Sequence, residues 1–235
     1  MDQFFCLHYP SEDSLLAKKL RSDVPIPMEI LRCPVNREHW FPGPRMLDGW
    51  RNAPLNVEVK HNKRDEMLIW VDVGEGLLVR DRLAAAMQSH GFTGFELAPA
   101  TVRFRDGQLS SDYKQLKVRG WGGQARPESG ISLLERCSGC PVKSYGKLLD
   151  SSQLIDESQW TGDDFFMVWP LPTSYTFVTK RVVEYLESAK VGTYVIHPAG
   201  RLRGVAGKWG FSVRSLAERL PDDLAEKYGK PLGIF

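Results

Sequence analysis

The sequence predicts an α+β fold, a single domain over residues 1–235 that contains two similar β-α-β units. Sliding the chain against itself by 99 residues aligns 65–100 with 164–199 without a gap. Both segments show an apolar run, a turn, an amphipathic helix and a second apolar run, which indicates an internal duplication. The composition suits a globular core, because 42% of the residues are hydrophobic and 26% are charged. The identical pairs are Asp65/Asp164, Trp70/Trp169, Val79/Val178, Arg82/Arg181, Ser89/Ser188, Pro99/Pro198 and Ala100/Ala199.

The segment before the first unit carries two predicted elements and a long loop. Apolar residues within 4–9 predict an opening strand, which Pro10 ends. Ser11 is a suitable N-cap for a short helix that reaches Leu20. Six prolines within 24–54 predict a loop, because proline lacks the backbone N–H that regular structure uses.

The first unit follows the loop. Residues 67–71 form a compact apolar run that predicts a strand, and glycines within 74–76 predict a turn. A helix is expected over about 81–89, since its apolar residues recur at helical spacing. Alternation at Phe95 and Leu97 predicts a second strand.

A β-hairpin and a cysteine-bearing connector are predicted to join the two units. Residues 101–105 and 113–118 have strand patterns, and Asp106-Gly107 between them is a hairpin turn signal. The connector begins with the glycine-rich stretch 120–130 and leads to Cys137-Ser138-Gly139-Cys140.

The second unit has the same order of elements. Residues 165–169 predict a strand, Thr179 is the expected N-cap of a helix, and 194–196 alternate as a closing strand. Ser212 can cap a further helix that reaches Leu220, and another helix follows it. We therefore expect a C-terminal helical tail over 211–235.

Charge and cysteine content narrow the class of protein. The net charge of +2 gives no strong field that would attract nucleic acid or an anionic membrane. The N-terminus lacks the pattern of a signal peptide, and no run approaches the roughly 20 apolar residues of a membrane-spanning helix. Four cysteines in a chain of this length do not make a disulfide framework. A cytoplasmic protein is expected.

The strongest local chemical signal is the pair Cys137 and Cys140. Two thiolates at this spacing on a turn can hold one edge of a tetrahedral zinc ion. The remaining ligands of such a site would be Cys33 and His39, both in the proline-rich loop. Zinc is one of three alternatives; reduced thiols on half-buried loops are favoured over it, and a redox dithiol ranks below it because the pair does not open a helix.

No catalytic constellation is evident in the sequence, so a non-enzymatic protein is expected. Cys6 and His8 lie on one face of the opening strand, but no third group would orient them, which favours packing. Gly74 and Gly76 lack the rest of a dinucleotide fingerprint. Aromatic and arginine residues, which dominate binding hot spots, supply a predicted partner surface, although packing between the units would explain the same residues. The predicted contact residues are Trp40, Phe41, Trp50, Trp121 and Arg126.

Taken together, the repeats and cysteines resemble a known family. The residues that carry the likeness are LAAAMQSHGFTGFELAPATVRF, SDYKQLKV, CSGC and DDFFMVWPLPTSYTFVTKRVVEYLESAKVGTYVIHP. In this order they resemble the bacterial double-CxxCG-motif immunity proteins of polymorphic toxin systems, over roughly 31–198. Two departures stand out: Asn36 replaces the second cysteine of the first motif, and Pro141 replaces the glycine of the second.

The resemblance implies a cytoplasmic protein that neutralises a cognate toxin by direct binding, without catalysis. With one family cysteine missing, a zinc site would need His39 as its replacement ligand. Two other classes stay open: a zinc-stabilised nucleic-acid-binding module, and a small enzyme with an unrecognised site.

Overall fold

The computed structural model describes residues 3–8, 16–20, 26–71, 76–202 and 210–235. This part of the chain contains both helices and strands, so the predicted α+β class is confirmed. The α-helices are α1 (Pro44–Asn52), α2 (Asp81–Ser89), α3 (Lys180–Ser188) and α4 (Asp222–Leu232). The strands are β1 (Phe4–His8), β2 (Leu16–Lys19), β3 (Ile30–Arg32), β4 (Trp40–Pro42), β5 (Leu55–Glu58), β6 (Leu68–Val71), β7 (Gly76–Arg80), β8 (Phe95–Arg103), β9 (Leu109–Val118), β10 (Gly120–Gln124), β11 (Leu133–Arg136), β12 (Lys143–Tyr145), β13 (Phe165–Trp169), β14 (Thr176–Thr179), β15 (Val195–Pro198) and β16 (Phe211–Val213).

Six strands form a closed sheet in the order β2-β5-β8-β9-β7-β6. Side chains along β6 alternate between two apolar clusters, since successive strand residues point to opposite faces. Ile69 and Val71 join one cluster, with Val57, Leu78 and Val102. Leu68 and Trp70 face the other, together with the helices. The closed sheet is therefore apolar on both faces of β6.

Five strands form an open sheet in the order β10-β13-β14-β1-β15. All five residues of β13 are buried, so this strand is a continuous apolar run rather than an alternating one. The open sheet meets the closed sheet where β9 passes into β10. There a Cβ at Gly94 or Gly120 would lie 2.0 or 2.1 Å from the Phe165 carbonyl oxygen. Only glycine allows this close approach.

Two small sheets complete the architecture. β3 and β4 form an antiparallel hairpin, with Leu31 opposite Phe41. β11, β12 and β16 form a three-stranded antiparallel sheet that brings the C-terminal segment against the connector.

Each predicted unit contains one more strand than the β-α-β pattern allowed. β7 and β14 lie between the first strand and the helix, so both units run strand, strand, helix, strand. β7 was not predicted because it begins at Gly76, a residue that the sequence assigned to a turn. The rest of that predicted turn, 74–75, lies outside the described residues. α2 and α3 begin and end at positions 99 residues apart. The internal duplication and the single-domain boundary 1–235 stay predictions.

Three local predictions were wrong. Residues 16–19, expected to be helical, pair as β2 with β5 and β6, and Ser11 lies outside the described residues. The proline-rich loop contains β3, β4 and α1, because Pro44 stands at the start of a helix, where no backbone N–H is needed. The tail 211–235 includes α4 but opens with β16, which pairs with β12, rather than with a helix capped by Ser212.

A buried aspartate joins the two units. Asp164 accepts hydrogen bonds from the Thr179 hydroxyl at 2.7 Å, the Thr93 backbone N–H at 3.2 Å and Arg181 Nη1 at 3.2 Å. Thr179 stands at the N-cap position of α3, but its side chain is used in this contact and does not cap the helix. The contact links the loop after α2 to the start of β13.

Replacing Asp164 with alanine should lower the free energy of unfolding by about 2–4 kcal/mol, because buried donors would lose their acceptor. Chemical denaturation measures the change. The matched control is Asp65→Ala at the aligned position of the first unit, where the side chain is exposed and makes no hydrogen bond to any described residue. Asp65→Ala should change stability by less than about 0.5 kcal/mol. Equal effects of the two substitutions on stability would contradict the proposal that the hydrogen bonds of Asp164 stabilise the fold.

Candidate metal centre

The first half of the centre lies in the turn between β3 and β4. The backbone N–H of Cys33 donates to the His39 carbonyl at 3.1 Å. The backbone N–H of His39 donates to the Asn36 carbonyl, also at 3.1 Å. The backbone N–H groups of Val35 and Asn36 each lie 3.3 Å from Cys33 Sγ. This tight turn therefore directs two donors at one sulfur.

The second half lies in the turn between β11 and β12. Cys137 donates its backbone N–H to the Val142 carbonyl at 3.0 Å, which closes the turn that carries Cys140. The two turns touch at Gly139, where a Cβ would meet Val35 Cγ2 at 2.6 Å. A glycine is needed there for the two cysteine segments to come together.

Four potential ligand atoms converge between these turns. Cys33 Sγ lies 3.5 Å from Cys137 Sγ, and Cys140 Sγ lies 3.5 Å from His39 Nδ1. All four atoms lie within 4.8 Å of one another. A tetrahedral zinc ion with bonds of about 2.0–2.3 Å needs ligand atoms roughly 3.3–3.8 Å apart. The two separations of 3.5 Å meet this requirement, and the donor set is compatible with zinc. The four residues that the sequence proposed as ligands do lie together.

The thiols of the cluster differ in acidity. Burial raises the pKa of Cys33, but the N–H groups of Asn36 and Val35 and the thiols of Cys140 and Cys137 outweigh it, so that its pKa falls to about 7. Burial and the neighbouring thiols raise the pKa of Cys140 to about 11. Cys33 is therefore the first of these two to offer a thiolate, the form that binds a metal.

Asn36 sets the orientation and the proton position of His39. Asn36 Oδ1 accepts the Glu38 backbone N–H at 3.0 Å, which turns its amide nitrogen toward His39 Nε2 at 3.2 Å. With the amide in this orientation, a neutral imidazole that accepts at Nε2 carries its proton on Nδ1, which faces Cys140. A metal on Nδ1 would displace this proton to Nε2, where an oxygen acceptor in place of the amide nitrogen would suit it better.

The donor set is typical of a closed, structural site. Three sulfurs and one nitrogen could supply all four positions of a tetrahedron, whereas catalytic zinc sites keep one position for water or substrate. All four cysteines of the chain are free of disulfide bonds. The sequence pointed to the four clustered residues, but it did not show that Asn36 contacts His39 or that Gly139 permits the close approach of the two turns.

The predicted partner residues divide into surface and core. Trp40 is 41% exposed and Trp50 is 38% exposed, while Phe41 is half-buried. Trp40 also lies under the guanidinium of Arg214, 4.6 Å from the ring centre. Arg126 is half-exposed and pairs with Glu128 at 3.6 Å.

The structure contradicts the prediction that Trp121 belongs to a partner surface. Trp121 is only 4% exposed and stacks on Tyr228 at 5.4 Å, with the two rings nearly parallel. The C-terminal helix α4 carries Tyr228 and covers the tryptophan, so Trp121 packs the core and does not offer a contact surface.

The Cys6 and His8 pair has no nucleophilic geometry. Cys6 is fully buried, and burial raises its pKa to about 12, so the sulfur stays a thiol. Its Sγ lies 3.7 Å from the Leu7 carbonyl, and the His8 ring stacks on His197 at 4.9 Å. Both residues serve packing, as the sequence favoured.

Comparisons with known proteins did not identify a family. A scan against models of protein families found none that matches this chain. A search of curated proteins likewise found no match. Within the described residues, no helix has the length and apolar content needed to cross a membrane.

Protein purified without chelators should contain about one zinc per chain, because the four ligands form one tetrahedral set. Elemental analysis measures the content. Cys137→Ser should reduce it at least about tenfold, since the remaining ligands leave the tetrahedron open. Cys6→Ala removes a thiol outside the cluster and should keep the metal. Less than about a tenth of an equivalent in the wild type would show that the cluster does not retain zinc.

Asn36→Asp should tighten zinc binding by about tenfold, because a carboxylate can accept both the Glu38 N–H and a proton on His39 Nε2. Competition with a chromophoric chelator measures the affinity. Asn62→Asp introduces the same charge at an exposed site, where the side-chain oxygen accepts the Asp106 N–H, and serves as the control. An unchanged affinity in Asn36→Asp would refute the orienting role.

Proposed function

We propose that this protein is a non-catalytic, cytoplasmic binding protein whose cysteine–histidine cluster holds one structural zinc ion. The observation that carries the proposal is the convergence of Cys33, His39, Cys137 and Cys140 on one point. The four ligands come from turns about 100 residues apart in sequence, so a bound ion would cross-link two distant segments. Such a link stabilises the folded chain, because the binding energy of the metal is available only when the ligands are assembled.

The hairpin is the segment that needs this link. All three residues of β3 are exposed, and two of the three residues of β4 are not buried. A two-stranded hairpin is at best marginally stable in water without a packed face. Cys33 is buried in the turn that joins its two strands, so the metal cluster would take the place of a hydrophobic core at this end of the hairpin.

The partner that we propose is a cognate toxin, neutralised by contact. The resemblance to the immunity family supports this, because the structure joins the segments that carry the two cysteine motifs of that family. A second support is a group of exposed apolar side chains around the hairpin, here named the hairpin face. It comprises Met28, Ile30, Leu31, Val35 and Trp40, each between 40% and 75% exposed.

The hairpin face has the composition of a protein interface. Exposed aromatic and aliphatic groups lie beside charged residues such as Arg32, Arg37 and Glu38, which are also exposed. Binding sites commonly combine an apolar centre with a polar rim, and a standard interface buries roughly 1,600 Å². Because β3 is short and exposed, an edge of the hairpin also offers backbone groups for pairing.

We infer in addition that the two units arose by duplication. Backbone conformation supports this beyond the identical residues: Gly91 and Lys190 have positive φ, as do Gly94 and Thr193, and each pair is 99 residues apart. Hydrogen bonds recur as well. The Ser89 and Ser188 hydroxyls donate to carbonyls three residues earlier, both at 2.8 Å. Residues other than glycine rarely adopt positive φ, so the shared pattern is specific.

The toxin proposal is tested by co-expressing the protein with the toxin encoded beside its gene. Met28→Asp and Leu31→Asp should each weaken protection and co-purification, with Kd raised at least about thirtyfold if the residue is a hot spot. Both positions are exposed, so the substitutions should leave the fold intact. Leu149→Asp is the control, because Leu149 is 71% exposed on another segment, close to the 75% of Met28 and above the 40% of Leu31.

Growth under toxin induction and pull-down give independent readouts. Full protection by the two hairpin-face variants would show that the contact surface lies elsewhere on the protein. A toxin that kills equally with and without the wild-type protein, or a gene without a neighbouring toxin, would overturn the immunity proposal while leaving the metal centre untouched.

A further inference from the structure

A cavity of about 250 Å³ lies where the closed sheet, the open sheet, α1 and the C-terminal segment meet. Its lining is rich in positive charge. Lys19, Arg51, Lys117, Arg119 and Arg219 line it, and Glu218 is the one acid among the described lining residues. None of the four cluster ligands lines this cavity, so it is a separate feature of the fold.

Part of the positive charge is balanced from outside the cavity. Arg51 pairs with Asp222 at 2.9 Å, and Arg119 pairs with Glu96 at 2.9 Å. The acid in the lining does not balance the remaining cations by contact. Both carboxylate oxygens of Glu218 accept from Arg214 Nε, at 2.8 and 2.9 Å.

Two cations of the lining are held by neutral groups. Lys117 Nζ donates to the Arg51 backbone carbonyl. Arg219 donates to the carbonyls of Leu171 and Pro170, and its guanidinium lies 4.8 Å from the ring centre of Trp169. Neither has a carboxylate within ion-pair distance among the residues that the structure describes. Both charges are therefore fixed in place without a direct ion pair to a described carboxylate, although Glu96 and Glu218 act on them from a greater distance.

The pKa values of both groups lie below their ordinary values. Burial, followed by the charge of Arg119, lowers the pKa of Lys117, and Glu96 offsets part of this effect. Burial lowers the pKa of Arg219 to about 10, although the charge of Glu218 acts in the opposite direction. Burial makes the charged forms of Lys117 and Arg219 less favourable in free energy. A nearby anion would offset this effect, because opposite charge favours the ionised form.

We propose that this cavity binds a small phosphate monoester. A dianion matches the two cations that lack carboxylate partners, and both guanidinium and ammonium groups are good donors to phosphate oxygens. The cavity is slightly smaller than the roughly 300–1,000 Å³ of usual ligand pockets, which limits the ligand to the size of a sugar phosphate or mononucleotide. Trp50 and Met167 also line the cavity and would contact the uncharged part of the ligand.

Calorimetric titration of the full chain tests the proposal, with adenosine monophosphate, ribose 5-phosphate, adenosine and citrate as probes. The two phosphates should bind with Kd below about 1 mM, and neutral adenosine should not. Tighter binding of adenosine monophosphate than of ribose 5-phosphate would identify a nucleotide as the ligand, and equal binding would identify a sugar phosphate. Binding of citrate alone, or of no probe, would overturn the proposal.

Two lysines of the same strand supply matched variants. Lys117→Gln removes a charge from the cavity and should raise Kd for the bound phosphate at least about tenfold. Lys114→Gln removes a charge that pairs with Asp81 at 3.4 Å outside the cavity, and should leave Kd unchanged. Far-ultraviolet circular dichroism checks that both variants fold. Equal affinities of the two folded variants would refute the assignment of the site to this cavity.

Discussion

The fold depends on one apolar layer that the two units share. Leu83 and Met87 of α2 pack in the same cluster as Val182 and Leu186 of α3, and each of these positions has its counterpart 99 residues away. Polar contacts at the edges of the layer are reciprocal. The loop after α2 binds the start of β13 through Thr93, while the loop after α3 binds β6, where Trp70 Nε1 donates to the Thr193 carbonyl at 2.9 Å. Both helices bury their apolar faces in one cluster that includes strands of the closed sheet and of the open sheet, so this cluster holds the two sheets together.

The metal centre stands outside this layer and follows a different stabilising principle. The hairpin that carries Cys33 and His39 buries little apolar surface, so hydrophobic burial alone gives it a weak hold on the rest of the chain. Directional contacts replace burial there: the backbone donors on Cys33 Sγ, the Asn36 contact to His39, and the close approach permitted by Gly139.

The spacing of apolar residues predicted the helices and strands whose formation depends mainly on neighbouring residues. The bounds of α2 and β13 followed from apolar spacing, and the candidate metal ligands followed from residue type, because cysteine thiolates and histidine nitrogens are the usual donors to zinc. The closed sheet could not be predicted, because its register is fixed by pairs such as Leu55 with Ala100, far apart in sequence. α1 was missed because prolines count against a helix everywhere except at its start. The burial of Trp121 was missed for the same reason as the closed sheet: its cover, Tyr228, lies more than a hundred residues away.

The C-terminal segment, which the sequence presented as a tail, connects the two candidate binding regions. Arg214 lies over Trp40 of the hairpin, and Asp222 pairs with Arg51 at the end of α1. Arg219, between them in sequence, lines the cationic cavity. The same few residues therefore position the hairpin, the helix that follows it and the cavity wall. Arg51, in the last turn of α1, also donates to the Leu220 carbonyl at 3.3 Å, so this segment holds the C-terminal end of the helix. The C-terminal segment therefore contacts both the hairpin and the cavity wall, although the cysteine–histidine cluster and the cationic cavity share no residues.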